Sequence, residues 1–121
     1  MNKQDLGHWG EGKAAQYLIK KGIEIIAHNQ RNSYGELDII GKDGEQIVFF
    51  EVKTRTSDSF GYGEDSITNQ KQTHLVNSAE AYLQEHTELG EDWRIDLISI
   101  DGSPRSRKVT IRWFKNAIPG S

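Results

Sequence analysis

The chain has 121 residues, no cysteine and a formal net charge of −3 at neutral pH. This length suits a single domain, residues 1–121, while the missing cysteines exclude disulfides and thiolate metal sites. Hydrophobic residues make up 35% and charged residues 27% of the chain, as in soluble α/β proteins. The longest strongly apolar run, Ile47 to Phe50, is too short to span a membrane, and the N-terminus lacks a signal-peptide core. We therefore expect a cytoplasmic protein with no membrane association.

A first helix is predicted from Asp5 to Lys21, ended by Gly22. Its apolar stripe consists of Ala14, Ala15 and Leu18. Glu11 precedes these residues by three, four and seven positions, which places it on the inward face of the helix. A carboxylate is unusual there. Either the helix frays at its glycine-rich start, or Glu11 faces something cationic.

The most informative pattern is the predicted hairpin from Gly35 to Arg55, which follows a strand from Ile23 to Gln30 and a turn at 32–35. Two apolar runs flank Asp43-Gly44, which is a strong hairpin signal. A loop centred there pairs Asp38 with Phe49. By strand alternation, one face then carries Glu36, Asp38, Ile40, Phe49, Glu51 and Lys53. The opposite face, expected to be core, carries Leu37, Ile39, Val48, Phe50 and Val52.

In this register Asp38 and Glu51 are diagonal neighbours, with Cα atoms roughly 7–8 Å apart, close enough to share one ion. A half-exposed strand shows the same alternation, and Glu51 with Lys53 would then form a solvated ion pair of at most about 1 kcal/mol. Phe49 argues against that reading, because like charges beside an apolar side chain are costly without a cation. Oxygen ligands without cysteine or clustered histidine suit Mg²⁺ or Mn²⁺.

The second half of the chain predicts a connection, a helix and two strands. Thr54 to Asp65 is polar and glycine-rich, which is typical of either a binding loop or an ordinary surface loop. Ser66 is expected to cap a helix that ends near Glu85. Lys71 extends the apolar stripe of this helix, where a lysine usually turns outward. With strands at Trp93–Ile100 and Val109–Phe114, the order α-β-β-β-α-β-β predicts a mixed sheet with the second helix as crossover.

Basic residues are concentrated near the C-terminus, beside Trp113 and Phe114: Arg105, Arg107, Lys108, Arg112 and Lys115. The net charge does not indicate a nucleic-acid binder, but it permits a local phosphate-binding face. A solvated strand and turn would produce the same pattern. Both interpretations of the basic segment stay open.

Asp38 followed by Glu51-Val52-Lys53 on the next strand resembles the D…ExK core of the PD-(D/E)XK nuclease superfamily. Gly10-Glu11 in the first helix resembles the helix-borne glutamate of the archaeal Holliday junction resolvases in that superfamily. From Leu6 to Ile118 the chain is similar to the YraN family of bacterial proteins. The residues that carry this similarity are GELDII…VFFEVKTR, Lys71, Ala79-x-x-Leu83, Arg94-Ile95-Asp96 and Asn116-Ala117.

The resemblance implies a restriction-endonuclease-like α/β fold and metal-dependent hydrolysis of phosphodiester bonds in DNA. Glu11, Asp38 and Glu51 would hold Mg²⁺ or Mn²⁺ together with the Val52 carbonyl, and Lys53 would lie beside the attacking water. The nucleic-acid contacts would come from Arg55, Lys71 and Tyr62. Two other functions stay open: a non-catalytic nucleic-acid-binding module of the same fold, and a structural interaction domain with a remnant acidic cluster. Whether a homodimer forms stays open too.

Overall fold

The structure is a computed structural model that describes residues 1–56 and 67–118. Its elements are α1 (Lys3–Lys20), β1 (Glu24–Asn32), β2 (Gly35–Asp43), β3 (Gln46–Arg55), α2 (Asn69–Glu85), one turn of 3₁₀ helix (Thr87–Leu89), β4 (Trp93–Asp101) and β5 (Thr110–Phe114). The strands form one five-stranded sheet in the order β1-β2-β3-β4-β5. Strands β3 and β4 pair in parallel, and the other neighbours are antiparallel. The predicted mixed α/β sheet and element order are confirmed.

The two helices cover opposite faces of the sheet, because alternate residues of β3 belong to two separate apolar clusters. Val48 and Phe50 pack with the α1 stripe of Ala14, Ala15 and Leu18. Ile47 and Phe49 pack with the α2 residues Leu75, Ala79 and Tyr82. The prediction of a single core face for the hairpin is therefore wrong. A strand that pairs in parallel across a crossover helix is covered on both sides.

Leu37 also differs from its predicted position, because it packs in the α2-side cluster and not beside Ile39. The strict alternation of β2 is thus interrupted between these two residues. Asp38 lies at the interruption. This is where the candidate site forms.

The β2–β3 register differs by two residues from the predicted one. Ile40 pairs with Phe49 and Asp43 with Gln46, so the turn residues are Gly44 and Glu45 and not Asp43-Gly44. Gly44 has φ +66°, and a positive φ at the first central residue is the pattern of a type II′ turn, which calls for glycine there. Because the shift is an even number, it leaves the face assignments of Asp38 and Glu51 unchanged.

Helix α2 begins later than predicted. Thr68 is its N-cap, and the Thr68 hydroxyl accepts a hydrogen bond from the Lys71 backbone N–H at 3.1 Å. The predicted cap, Ser66, lies outside the described residues. Helix α2 then carries the chain from β3 to the parallel strand β4, as expected for the crossover. Across 1–56 and 67–118 the structure contains no helix long and apolar enough to cross a membrane.

A buried network of hydrogen bonds and an ion pair connects Trp113 and Asn116, near the C-terminus, to strand β4. Asp96 of β4 is fully buried and accepts hydrogen bonds from Arg94 Nε at 3.0 Å and Trp113 Nε1 at 2.8 Å. It also accepts the Asn116 backbone N–H at 2.7 Å, and Arg94 reaches on to Asp43 at 2.9 Å. Asp96 is thus a structural carboxylate whose negative charge is already balanced by the neighbouring guanidinium.

Candidate metal centre

The candidate site lies where β2 and β3 part. Within the described residues, β2–β3 pairing ends at Ile39 and Phe50, after which β2 stays paired with β1 and β3 with β4. Asp38 and Glu51 are the next residues along the two strands. In the opening, the Val52 backbone N–H donates a hydrogen bond to Asp38 Oδ2 at 2.9 Å. The Asp38 carboxylate thus accepts the hydrogen bond that a backbone carbonyl of a paired strand would otherwise accept, and this bond holds the side chain between β2 and β3.

Continued by one residue, the observed register places Asp38 opposite Glu51 and not diagonal to it as predicted, and the two side chains are hydrogen-bonded. Glu51 is only 5% exposed. Burial, followed by the negative charge of Glu51 and a hydrogen bond to it, raises the pKa of Asp38 to about 8, although the Val52 N–H acts in the opposite direction. Asp38 therefore keeps its proton at neutral pH.

Helix α1 brings Glu11 to the same place. The helix is continuous from Lys3, capped by the Asn2 side chain, which accepts from Asp5 N–H at 2.8 Å, so the fraying alternative is excluded. Burial raises the pKa of Glu11, and the negative charges of Asp38 and Glu36 raise it further. His8 and a hydrogen bond from Asn29 lower the pKa of Glu11 without offsetting burial, so Glu11 points into a cluster of carboxylates.

A glycine sets the distance between α1 and β3. A Cβ atom on Gly10 would lie 1.8 Å from Thr54 Oγ1, far inside van der Waals contact. Only glycine allows the helix to approach the strand this closely. Since Glu11 follows directly, this close approach is what places its carboxylate above the opening between β2 and β3.

Glu36 is the member of the cluster that the sequence did not single out as a ligand. Carboxylate oxygens of Glu11, Glu36 and Asp38 all lie within 4.8 Å of one another. The signal was present in the strand alternation, which placed Glu36 on the face of Asp38. Glu36 also accepts a hydrogen bond from Arg31 at 2.7 Å.

Asn29 of β1 joins two of these carboxylates. It has φ +50°, a left-handed conformation that asparagine tolerates better than most residues. The hydrogen-bond network assigns its amide nitrogen to the acidic side. In this orientation Nδ2 donates to Glu11 Oε1 at 3.0 Å and to Glu36 Oε1 at 3.2 Å. The amide therefore orients the two carboxylates without neutralising them.

The predicted lysines have different environments. Lys71 Nζ lies 3.3 Å from Glu51 Oε2, so this lysine reaches into the cluster and does not turn outward. Lys53 is half-buried on β3, level with Ser99 of β4, and within the described part of the chain it forms no ion pair. The lysine in contact with Glu51 is therefore the one on the helix and not the one on the strand.

Of the two other residues predicted to contact nucleic acid, Arg55 lies within the described residues and Tyr62 does not. Arg55 ends β3 and is half-buried, and its carbonyl accepts the Gly102 N–H at 2.7 Å. Tyr62 lies outside the described residues, with most of the predicted connection after Thr54. The role of the Val52 carbonyl as a ligand stays a prediction.

The basic C-terminal segment is partly engaged within the protein. Arg112 pairs with Asp101 at 2.6 Å, and the Lys115 ammonium lies 4.6 Å from the centre of the Trp113 ring. The other three basic residues, Arg105, Arg107 and Lys108, are exposed on the β4–β5 connection. They precede β5 in the chain, whereas the acidic residues lie on α1, β2 and β3.

The fold and the cluster together define an α/β protein with a mixed sheet and a group of carboxylates where its second and third strands part. Residues 10–100 match the family described as "Uncharacterised protein family UPF0102". The chain belongs to this family, as its resemblance to the YraN proteins led us to expect.

Relatives in the family align over almost their whole length. A UPF0102 protein of Caldicellulosiruptor saccharolyticus is 43% identical over 97% of this chain and 99% of its own. One from Marinobacter nauticus is 44% identical over 93% of this chain and 91% of its own. Among solved structures, that of Pyrococcus furiosus SfsA in complex with Ca²⁺ matches at 17% identity and a TM-score of 0.42. The match covers 87% of this chain and 62% of SfsA.

Proposed function

We propose that this chain is a Mg²⁺- or Mn²⁺-dependent nuclease that hydrolyses phosphodiester bonds in DNA. The observation that carries the proposal is the convergence of the Glu11, Glu36 and Asp38 carboxylates within 4.8 Å of one another, with Glu51 hydrogen-bonded to Asp38 beside them. Groups of like charge are not brought together near a buried core without a compensating partner, because the repulsion and the loss of hydration both oppose it.

The residues present fit a hard divalent cation. The donors are all oxygen atoms, which Mg²⁺ and Mn²⁺ prefer, and those of Glu11, Glu36 and Asp38 already lie within 4.8 Å of one another. The pKa of Asp38, raised by burial and by Glu51 to about 8, reports the same lack of positive charge. Glu11, Glu36, Asp38 and Glu51 would hold the ion, with the Val52 carbonyl as a further ligand.

Ion binding at this site requires the release of a proton. The proton on Asp38 must leave before its carboxylate can act as a ligand. The affinity for the ion should therefore increase as the pH rises toward about 8, the pKa of Asp38. When bound, the cation would polarise the attacking water and offset negative charge in the transition state.

The lysines and the arginine would act on the substrate. Lys53, free of any ion pair within the described residues, would orient the attacking water beside the cluster. Arg55, Lys71 and Tyr62 would contact the phosphate backbone, as the resemblance to the nuclease superfamily implies. The Asn29 amide would keep Glu11 and Glu36 correctly oriented while the ion binds.

The test is cleavage of a panel of single-stranded, duplex, flap and four-way DNA, with RNA counterparts, in Mg²⁺, in Mn²⁺ and in chelator. The nuclease proposal predicts cleavage of at least one substrate that requires the ion and is lost in Asp38→Asn. Binding without cleavage of any substrate would favour a nucleic-acid-binding module instead. Neither binding nor cleavage would favour an interaction domain with a remnant cluster.

A further inference from the structure

We infer that Lys71 is an exchangeable cation: it pairs with Glu51 while the site holds no divalent ion, and ion binding releases it to contact a phosphate of the nucleic acid. This inference rests on the proposed function. It assigns Lys71 two alternative partners, whereas the sequence resemblance implied only a backbone contact.

The ion pair is strongly asymmetric in exposure. The Lys71 side chain is 45% exposed and the Glu51 side chain only 5%, with 3.3 Å between Nζ and Oε2. Glu51, whose other partner is the neighbouring carboxyl group of Asp38, depends on Lys71 for positive charge, since a nearly buried carboxylate is costly without it. Lys71 does not depend on Glu51 in the same way, because its ammonium already borders solvent.

A divalent ion on Glu51 would remove the reason for this pair. The ion would supply two positive charges to the carboxylates that Lys71 now helps to neutralise, and it would repel the ammonium over a few ångströms. Arg31 already balances part of the charge of Glu36 at 2.7 Å. Within the described residues Lys71 is the cation paired with Glu51, at 3.3 Å, so repulsion from an ion on Glu51 would act directly on its ammonium.

Helix α2 allows the ammonium to move while its backbone stays fixed. The Lys71 N–H is held by the Thr68 hydroxyl at 3.1 Å in the first turn of the helix. The ammonium, in contrast, stands on a flexible four-carbon stem. The first turn of α2 contains no acidic residue, so a released ammonium meets no carboxylate there. It would swing from Glu51 into the solvent, where a phosphate could reach it.

The salt dependence of DNA binding distinguishes exchange from a fixed role. Each lysine that contacts a phosphate of duplex DNA steepens the plot of log affinity against log salt by about 0.9. The probe is a short fluorescein-labelled duplex with a single-stranded tail, titrated by anisotropy at several KCl concentrations in chelator and in Ca²⁺. The DNA is checked on a gel for integrity after each titration.

Exchange predicts a specific difference between the wild type and Lys71→Met. The two slopes should agree in chelator, and the wild-type slope should be steeper by about 0.9 in Ca²⁺. Lys71→Arg should keep this ion-dependent difference, since it keeps the charge. Lys108→Met, which removes an exposed lysine on the β4–β5 connection, should change the slope equally with and without Ca²⁺, or not at all.

A second readout does not involve DNA. Lys71→Met should bind Ca²⁺ and Mn²⁺ more tightly than the wild type in a calorimetric titration, because no ammonium has to be displaced. If Lys71→Met does not fold, Lys71→Gln takes its place in both experiments.

Three results would overturn the inference. A slope difference of the same size in chelator and in Ca²⁺ would make Lys71 a permanent phosphate contact. No difference in either condition, with ion affinity unchanged, would make the Glu51 pair permanent. A wild type that binds neither ion nor DNA would remove the proposed function and this inference with it, whereas the first two results leave the proposed function intact.

Discussion

Asp38 and Glu51 face each other where strands β2 and β3 part, and burial together with Glu51 raises the pKa of Asp38 to about 8. Asp38 is held there by the Val52 N–H at 2.9 Å, which favours its ionised form. The site therefore binds a proton at neutral pH in the place where we propose a divalent ion. This relationship leads to the first prediction.

Without metal, the free energy of unfolding should fall as the pH rises from about 4 to about 8. An unfolded aspartate ionises near pH 4, whereas folded Asp38 keeps its proton up to about pH 8. Between these two values the folded state binds more protons than the unfolded state, so raising the pH favours unfolding. The slope has an upper limit of about 1.4 kcal/mol per pH unit. Urea unfolding in chelator measures it.

Asp38→Asn should flatten this dependence and raise the stability at the alkaline end. The exposed Glu45→Gln in the β2–β3 turn should leave the slope unchanged. A wild-type stability that is constant over the window would contradict the raised pKa of Asp38. An Asp38→Asn variant that does not fold would make Asp38 a structural residue.

Gly10→Ala should destabilise the protein by roughly 1–3 kcal/mol, because its Cβ would meet Thr54 Oγ1 at 1.8 Å. Gly12→Ala is the matched control on the same helix, since nothing lies within 4 Å of its added Cβ. It should stabilise α1 by roughly 0.5–1 kcal/mol. Urea midpoints measure both changes. Thr54→Ala in the Gly10→Ala background should recover part of the loss, and equal effects of the two glycine substitutions would refute the close approach.

The sequence predicted much of this architecture. Within the described residues, the periodic stripes of α1 and α2 and the apolar runs of the strands identified both α-helices and the five strands in order, but not the short 3₁₀ helix Thr87–Leu89. Spacing alone put Glu11 on the inward face of α1. The even register error preserved the faces of the hairpin, so Asp38 and Glu51 were predicted on one side although their pairing was wrong.

The remaining features depend on three-dimensional relationships that no local pattern encodes. The turn at Gly44 could not be distinguished from an Asp-Gly turn without its φ angle. Beyond Ile39 and Phe50, β2 is paired only with β1 and β3 only with β4 within the described residues, an arrangement of strands that a local pattern does not encode. The contact of Lys71 with Glu51 depends on where α2 begins above the sheet. The N-cap at Thr68 sets this starting point, whereas the sequence pattern predicted a cap at Ser66.

Asp96→Asn should destabilise the protein by about 3 kcal/mol, as expected when a buried ion pair loses one partner. The guanidinium of Arg94 and the donors Trp113 and Asn116 all rely on this carboxylate. Asp101→Asn breaks the more exposed pair with Arg112, whose side chains are 34% and 40% exposed, and should cost about 0–1 kcal/mol. Chemical denaturation compares the two, and similar losses would contradict the distinction between them.

Lys53→Ala should lower the rate of DNA cleavage by about 10²-fold while leaving ion binding intact, if its role is to orient the nucleophile and stabilise charge in the transition state. Lys53 forms no ion pair within the described residues, so its loss leaves no carboxylate unpaired. Single-turnover cleavage and a Mn²⁺ titration separate the two effects. Lys108→Ala serves as the control for loss of a positive charge. A change in DNA affinity alone would assign Lys53 to binding.

The most direct test of the metal centre is the anomalous scattering of crystals soaked in Mn²⁺. We predict a peak at about 2.0–2.6 Å from a carboxylate oxygen of Asp38, a distance typical of hard-cation coordination. The same peak should lie at coordination distance from at least one of Glu11, Glu36 and Glu51. Crystals of Glu36→Gln should show a weaker peak than those of Glu24→Gln, which changes an exposed residue of β1. Fully soaked crystals with Mn²⁺ only at other surface carboxylates, and none at Asp38, would contradict the metal centre.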